Sequence, residues 1–188
     1  MNQINHFKQG NSLVLLTVCL SSLLVSACAG NAVKEEKISD AESCTLLQGI
    51  IADHPNKFKS YKKTYSSHRA HSSWTADKIV PSAKICQVWE WSTGLHNYVC
   101  EWEGADESTT IANDQEINRV IETCLGSAWT TNTNTTQNGS KTTIYSNGNS
   151  PTVVSVRYFK ETGGWRSLQN WSNTLIIGDK NNLKSPLH

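Results

Sequence analysis

Apolar residues recur along this chain with two different periods, and the period changes three times. After a polar stretch, Ser39 and Glu42 stand three apart in the form of a capping box, and Cys44, Leu47, Ile50 and Ile51 follow at helical spacing. This predicts a first helix from about Asp40 to Asp53. Pro55 ends or re-nucleates it, and Phe58, Tyr61 and Tyr65, three to four residues apart, predict a second helical piece. Residues 66–81 read as a connecting loop.

The period then shortens to two. Lys84–Trp91 and His96–Trp102 are rich in aromatic and β-branched residues and flank a Ser92-Thr93-Gly94 turn, which predicts an antiparallel hairpin. Pairing Glu90 with His96 sets Cys86 opposite Cys100, at a separation a cross-strand bridge can close. From about Asp106 to Leu125 the residues Ile117, Val120, Ile121 and Cys124 return to helical spacing, with Gly126 as a stop. Residues 130–140, almost all Asn, Thr, Gln, Ser and Gly, read as a solvated loop. Strands are predicted at Thr142–Ser146, Thr152–Phe159, Trp165–Leu168 and Thr174–Ile177, with turns at Asn147-Gly148 and Gly163-Gly164. The expected fold is α+β, a single domain with a mainly antiparallel sheet packed on two main helices. Its order is helix, hairpin, helix, then three to four strands.

The N-terminus carries a different signal. Lys8 and the amino terminus precede an apolar run from Ser12 to Leu24, too short to span a bilayer as a mature helix, and Val25-Ser26-Ala27-Cys28 follows. This segment resembles the lipobox of bacterial lipoprotein precursors. The resemblance implies that residues 1–27 are a signal peptide that is removed and that Cys28 carries a diacylglycerol on its thiol and an acyl chain on its new amino group. Ala29 rather than Asp after the cysteine implies, by the same resemblance, outer-membrane delivery. Residues 28–38 then form a lipidated tether, ten residues of which reach about 35 Å at full extension, and residues 39–188 form the domain.

Charge and cysteine content narrow the picture. The whole chain has 17 Lys and Arg and 16 Asp and Glu; only Lys8 among them precedes Cys28, so the mature chain is neutral. A neutral balance argues against a nucleic-acid partner and against a polybasic membrane surface, leaving the acyl chains as the membrane contact. Cys19 leaves with the leader and Cys28 carries lipid. Cys44, Cys86, Cys100 and Cys124 remain, an even set in an oxidising compartment. They lack the C-x-x-C knuckles of a zinc site. With Cys86 and Cys100 on the hairpin, Cys44 and Cys124 pair across the two helical stripes.

Motifs of catalysis are scarce. His68 and His71 are three apart, without the glutamate that helical zinc sites place beside their histidines, and read as part of a solvated loop. His96 at a strand start and His54 beside Asp53 read as surface or capping residues. No G-x-S-x-G, S-x-x-K or phosphate-cradling loop occurs. The carboxylate pairs Glu101 with Glu103 and Glu35 with Glu36 read as solvent-facing. The distinctive feature is seven tryptophans, of which Trp89 and Trp91 project from one face of one strand with Trp102 on the hairpin partner. They suit either a binding platform or the core.

The resulting expectation is a lipid-anchored envelope protein facing the periplasm. It uses no cofactor or metal, catalyses nothing, and binds a protein or other macromolecule in an accessory, assembly or immunity role, with Trp89 and Trp91 as the contact. Three alternatives carry their own structural requirements. A periplasmic hydrolase needs a cleft gathering His68, His71, His96 or Glu101, and a small-ligand carrier needs an apolar cavity between sheet and helices. A module that binds peptidoglycan or other glycan through surface tryptophans needs those rings accessible.

Overall fold

A computed structural model describes residues 39–68, 71–78, 80, 82–102, 106–161 and 171–180. Helix α1 (Asp40–Asp53) opens as the sequence predicts: Glu42 N–H donates to Ser39 Oγ at 3.3 Å and Ser39 N–H to the Glu42 carboxylate at 3.1 Å. Leu47 and Ile50 bury the inner face of the helix.

Beyond Pro55 the predicted helical piece is absent. Two short 3₁₀ turns, His54–Asn56 and Lys59–Tyr61, flank Lys57 and Phe58, both left-handed at φ 62° and 54°. That conformation is costly for residues with a Cβ. It is held by the Asp53 carboxylate, which accepts from Ser60 N–H at 3.0 Å, and by the fully buried Phe58 ring against His54 and Tyr98. Tyr61 closes the second turn, and Tyr65 belongs to a strand.

That strand, β1 (Lys62–Ser67), pairs with β2 (His71–Ala76), where a loop over residues 66–81 was expected. Next come β3 (Ile85–Trp91) and β4 (His96–Glu101), paired in the predicted register with Glu90 opposite His96 and Cys86 opposite Cys100. Helix α2 (Glu107–Leu125) starts on Asp106, whose carboxylate accepts from Thr109 N–H at 2.9 Å, and stops at Gly126 with φ 70°. Residues 130–140, read as a loop, contain β5 (Thr130–Thr135), all six residues exposed. The chain continues through β6 (Lys141–Ser146), β7 (Thr152–Lys160) and β8 (Trp171–Asp179). The Gly163-Gly164 turn and the strand expected at 165–168 lie outside the described residues, as do Cys28, Glu35, Glu36 and Glu103.

All eight strands join one antiparallel sheet in the order β1-β2-β3-β4-β8-β7-β6-β5. The mainly antiparallel sheet, two helices and two disulfides agree with expectation. The strand number does not, and the order is helix, four strands, helix, four strands.

One sheet face carries the core: Val88, Tyr98, Tyr145, Val154, Leu175 and Ile177 pack under Leu47, Ile50 and Ile121. The main helix–sheet contacts are α2 with β7 and β8 and α1 with β8, so the β1–β3 end extends away from the helices' principal seat. The helices are linked to each other by Cys44–Cys124, and β3 to β4 by Cys86–Cys100. No described helix is long and apolar enough to cross a membrane.

Candidate functional site

Alternation along β3 decides where its tryptophans point. Val88 is fully buried on the helix side, so Trp89 and Trp91 project from the opposite face, both half-buried. Register then supplies their neighbours: His71 on β2 lies across from Trp91, and Ser73 across from Trp89. The His71 ring sits 4.5 Å from that of Trp89 and 5.3 Å from that of Trp91, and the two indoles meet edge to face at 5.9 Å and 74°. His68, just past β1, stacks on His71 at 5.1 Å. A row of rings thus runs from β3 to the free edge of the sheet.

The polar atoms in this row are undersatisfied. His71 Nδ1, Trp91 Nε1 and the fully buried Ser73 Oγ make no hydrogen bond. Burial, and secondly the charge of neighbouring His68, hold the His71 imidazole below its ordinary pKa. The histidines stack face to face, and among the described residues no three metal-binding side chains cluster.

The other face of the same end is also aromatic. Trp74, paired with Val88, contacts Tyr65 at 5.3 Å between ring centres, and the Lys62 ammonium lies 3.7 Å above the Trp74 ring. Tyr65, 57% exposed, is the outstanding exposed aromatic of the described residues. Glu90 accepts from Lys62 at 3.4 Å and faces His96 Nε2 at 3.2 Å. Burial lowers the His96 pKa, opposed by Glu90. Burial raises that of Glu90, but His96 and Lys62 hold it net below the ordinary value.

The residues a hydrolase would have to gather lie in three places. His68 and His71 join the tryptophans, His96 sits on the opposite face, and the exposed Glu101 lies at the far end of β4, about 17 Å from His96 at ordinary strand rise. Trp102 is buried on the helix side, away from Trp89 and Trp91. His54 occupies the C-cap of α1, its N–H donating to Ile51 O, and its side chain is buried rather than at the surface. Its Nδ1 lies 2.7 Å from Thr152 Oγ1 and its Nε2 3.4 Å from Asp179. The order carboxylate, imidazole, hydroxyl is that of a nucleophilic triad, yet Thr152 is 2% exposed and no substrate carbonyl reaches its hydroxyl. The arrangement fastens the end of α1 to β7 and β8.

Between α1, α2 and the sheet lies an apolar cavity of about 140 Å³, lined by Leu46, Leu47, Val80, Trp102, Ile117 and Val120 among others. That is room for about one aromatic ring, below the roughly 300 Å³ at which ordinary small-ligand pockets begin. Tyr65 and Trp74 were missed in the sequence because β1 and β2 were; the signal was the aromatic–threonine pairs Thr64-Tyr65 and Trp74-Thr75. No family model, curated protein or solved structure matches the chain.

Proposed function

We propose that this chain is a lipid-anchored protein of the cell envelope that catalyses nothing and binds another macromolecule through the β1–β3 end of its sheet. The observation that carries the reading is the presence of aromatic side chains on both faces of that end. His68, His71, Trp89 and Trp91 line one face, and Tyr65 and Trp74 the other. Large aromatic rings with polar tips are the usual anchors of interfaces. The acyl chains on Cys28 and a ten-residue tether would hold this surface within reach of the outer membrane. Two or three buried chains, at about 0.8 kcal/mol per methylene, make release negligible.

The test has two arms. Replacing Cys28 by Ala should move the protein from the membrane to the soluble fraction with the domain still folded. Photo-crosslinking from position 65 or 91 in the anchored protein should yield a discrete adduct. Unchanged membrane recovery would contradict the anchor, and absence of adducts from both positions would contradict the binding surface.

A second reading takes the macromolecule to be a glycan instead of a protein. The polar atoms of the row are buried, so a sugar would meet the half-buried Trp89 and Trp91 rings, side by side on one sheet face, by stacking its apolar face on them. Retention on insoluble peptidoglycan, abolished by Trp89→Ala with Trp91→Ala, would support it. Equal retention of both forms would rule it out.

A further inference from the structure

Strand β1 is one edge of the sheet, and five of its six residues are exposed. Its ladder with β2 shows which backbone groups are still available. His68 N–H donates to His71 O at 3.0 Å, so His68 and, by alternation, Ser66 turn their backbone groups toward β2. Tyr65 and Ser67 therefore turn theirs outward. Side chains alternate in step: Tyr65 leans over Trp74 on one face, and His68 stacks on His71 on the other. A chain laid along this edge would meet backbone donors and acceptors in its plane and aromatic rings above and below.

The charge around β1 selects what such a chain carries. Between Asp53 and Asp77 the sequence contains Lys57, Lys59, Lys62, Lys63 and Arg69 and not one carboxylate. Glu90 pairs with Lys62 at 3.4 Å and Asp77 with Lys63 at 3.9 Å, which leaves the stretch with an excess of positive charge in a chain that is close to neutral overall. The opposite edge differs. β5 is equally exposed, but no charged residue occurs from Thr123 to Ser140. The first part of β1 is guarded against indiscriminate pairing by a register irregularity between Lys62 and Tyr65 and by the lysines themselves. Tyr65 to Ser67 is left as the regular, uncharged segment.

Resting on the binding reading above, we infer that the partner is a protein and that it docks by adding an extended, acidic segment as a ninth strand along β1. Backbone hydrogen bonds to Tyr65 and Ser67 supply the register, contacts with the flanking rings supply affinity, and the basic stretch selects for carboxylates.

The probe is a capped ten-residue peptide alternating Glu and Val. It is compared with the same peptide N-methylated at alternate backbone amides and with a Lys-for-Glu version, each titrated against the purified full chain with amide hydrogen exchange followed by NMR. The Glu peptide should bind and slow exchange at Tyr65 and Ser67. Methylation, lysine replacement or Ser67→Pro should each weaken it at least tenfold. Ser67→Pro removes an outward N–H and leaves the β2 ladder intact, while the methylated peptide tests the same bonds on unaltered protein. Equal binding of the methylated peptide would mean a plain polyanion site and overturn the inference. So would protection at β5 instead of β1, or no binding at millimolar peptide. If the peptides fail while crosslinking from position 65 or 91 still captures a partner, strand addition is wrong and the binding surface stands; failure of both removes both.

Discussion

Cys44, in the second turn of α1, is bonded to Cys124, in the last turn of α2, across 80 residues of sequence, whereas Cys86–Cys100 closes only 14. In the chain-entropy account the long loop contributes about 4 to 5 kcal/mol and the short one about 3. Replacing Cys44 and Cys124 together by Ala should therefore lower denaturant-derived stability more than the same change at Cys86 and Cys100. The reverse order would show that strain or residual denatured structure dominates. Peptide mapping without reduction should recover these two linkages and no Cys44–Cys86 peptide.

The His54 latch makes a second prediction. Thr152→Val keeps the shape of the side chain but leaves His54 Nδ1 facing a methyl group in a buried site. An unsatisfied buried polar group costs about 1 to 3 kcal/mol. A melt unchanged from the parent would show that a water or a rearranged Asp179 replaces the bond.

Acid should destabilise the domain through its histidines. His71 and His96 both have pKa values lowered in the fold, in each case first by burial. Their contribution is therefore complete above the unfolded pKa of about 6.5 and is lost as pH falls through the folded values. The melting temperature should drop on going from pH 7 to pH 5, and the ring protons of both residues should titrate below those of an exposed histidine. A rise in melting temperature over this interval would mean that the Glu90–His96 pair gains more on protonation than burial costs.

Trp89 and Trp91 fall between the core and platform readings, being half-buried on the face opposite fully buried Val88. Val88→Ala should cost about 2 kcal/mol for its lost methyl groups and the void they leave. Each tryptophan truncation should cost less than the roughly 3 to 5 kcal/mol of a fully buried ring. Chemical denaturation of the three single variants gives the ordering directly, and a loss in that upper range at Trp91 would return it to the core.

The elements legible in the sequence are those whose buried stripe is visible in one window. Ser39 and Glu42 with Leu47 and Ile50 mark α1, and Ile117, Ile121 and Cys124 mark α2. Cys86 opposite Cys100 sets the hairpin register. The illegible ones are the edges. β1 and β5 expose nearly every residue, so no alternation survives, and their Thr, Ser and Asn side chains read as loop. Tyr65, four residues after Tyr61, mimics a helical interval across what is a turn followed by a strand. The pairing of Trp89 with Trp91 was readable because it needs only β3. Their meeting with His71 and His68 was not, because it requires β2 to pair with β3.

The central claim is that the β1–β3 end is where this protein meets its partner. The direct measurement places a photo-crosslinking side chain in the full-length chain at position 65, at position 91, at Thr123 on α2 and at Thr133 on β5, and compares adducts in living cells. The account predicts a common adduct from positions 65 and 91 and none from 123 or 133. Adducts from 123 or 133 alone, or the same adducts from all four positions, would contradict it.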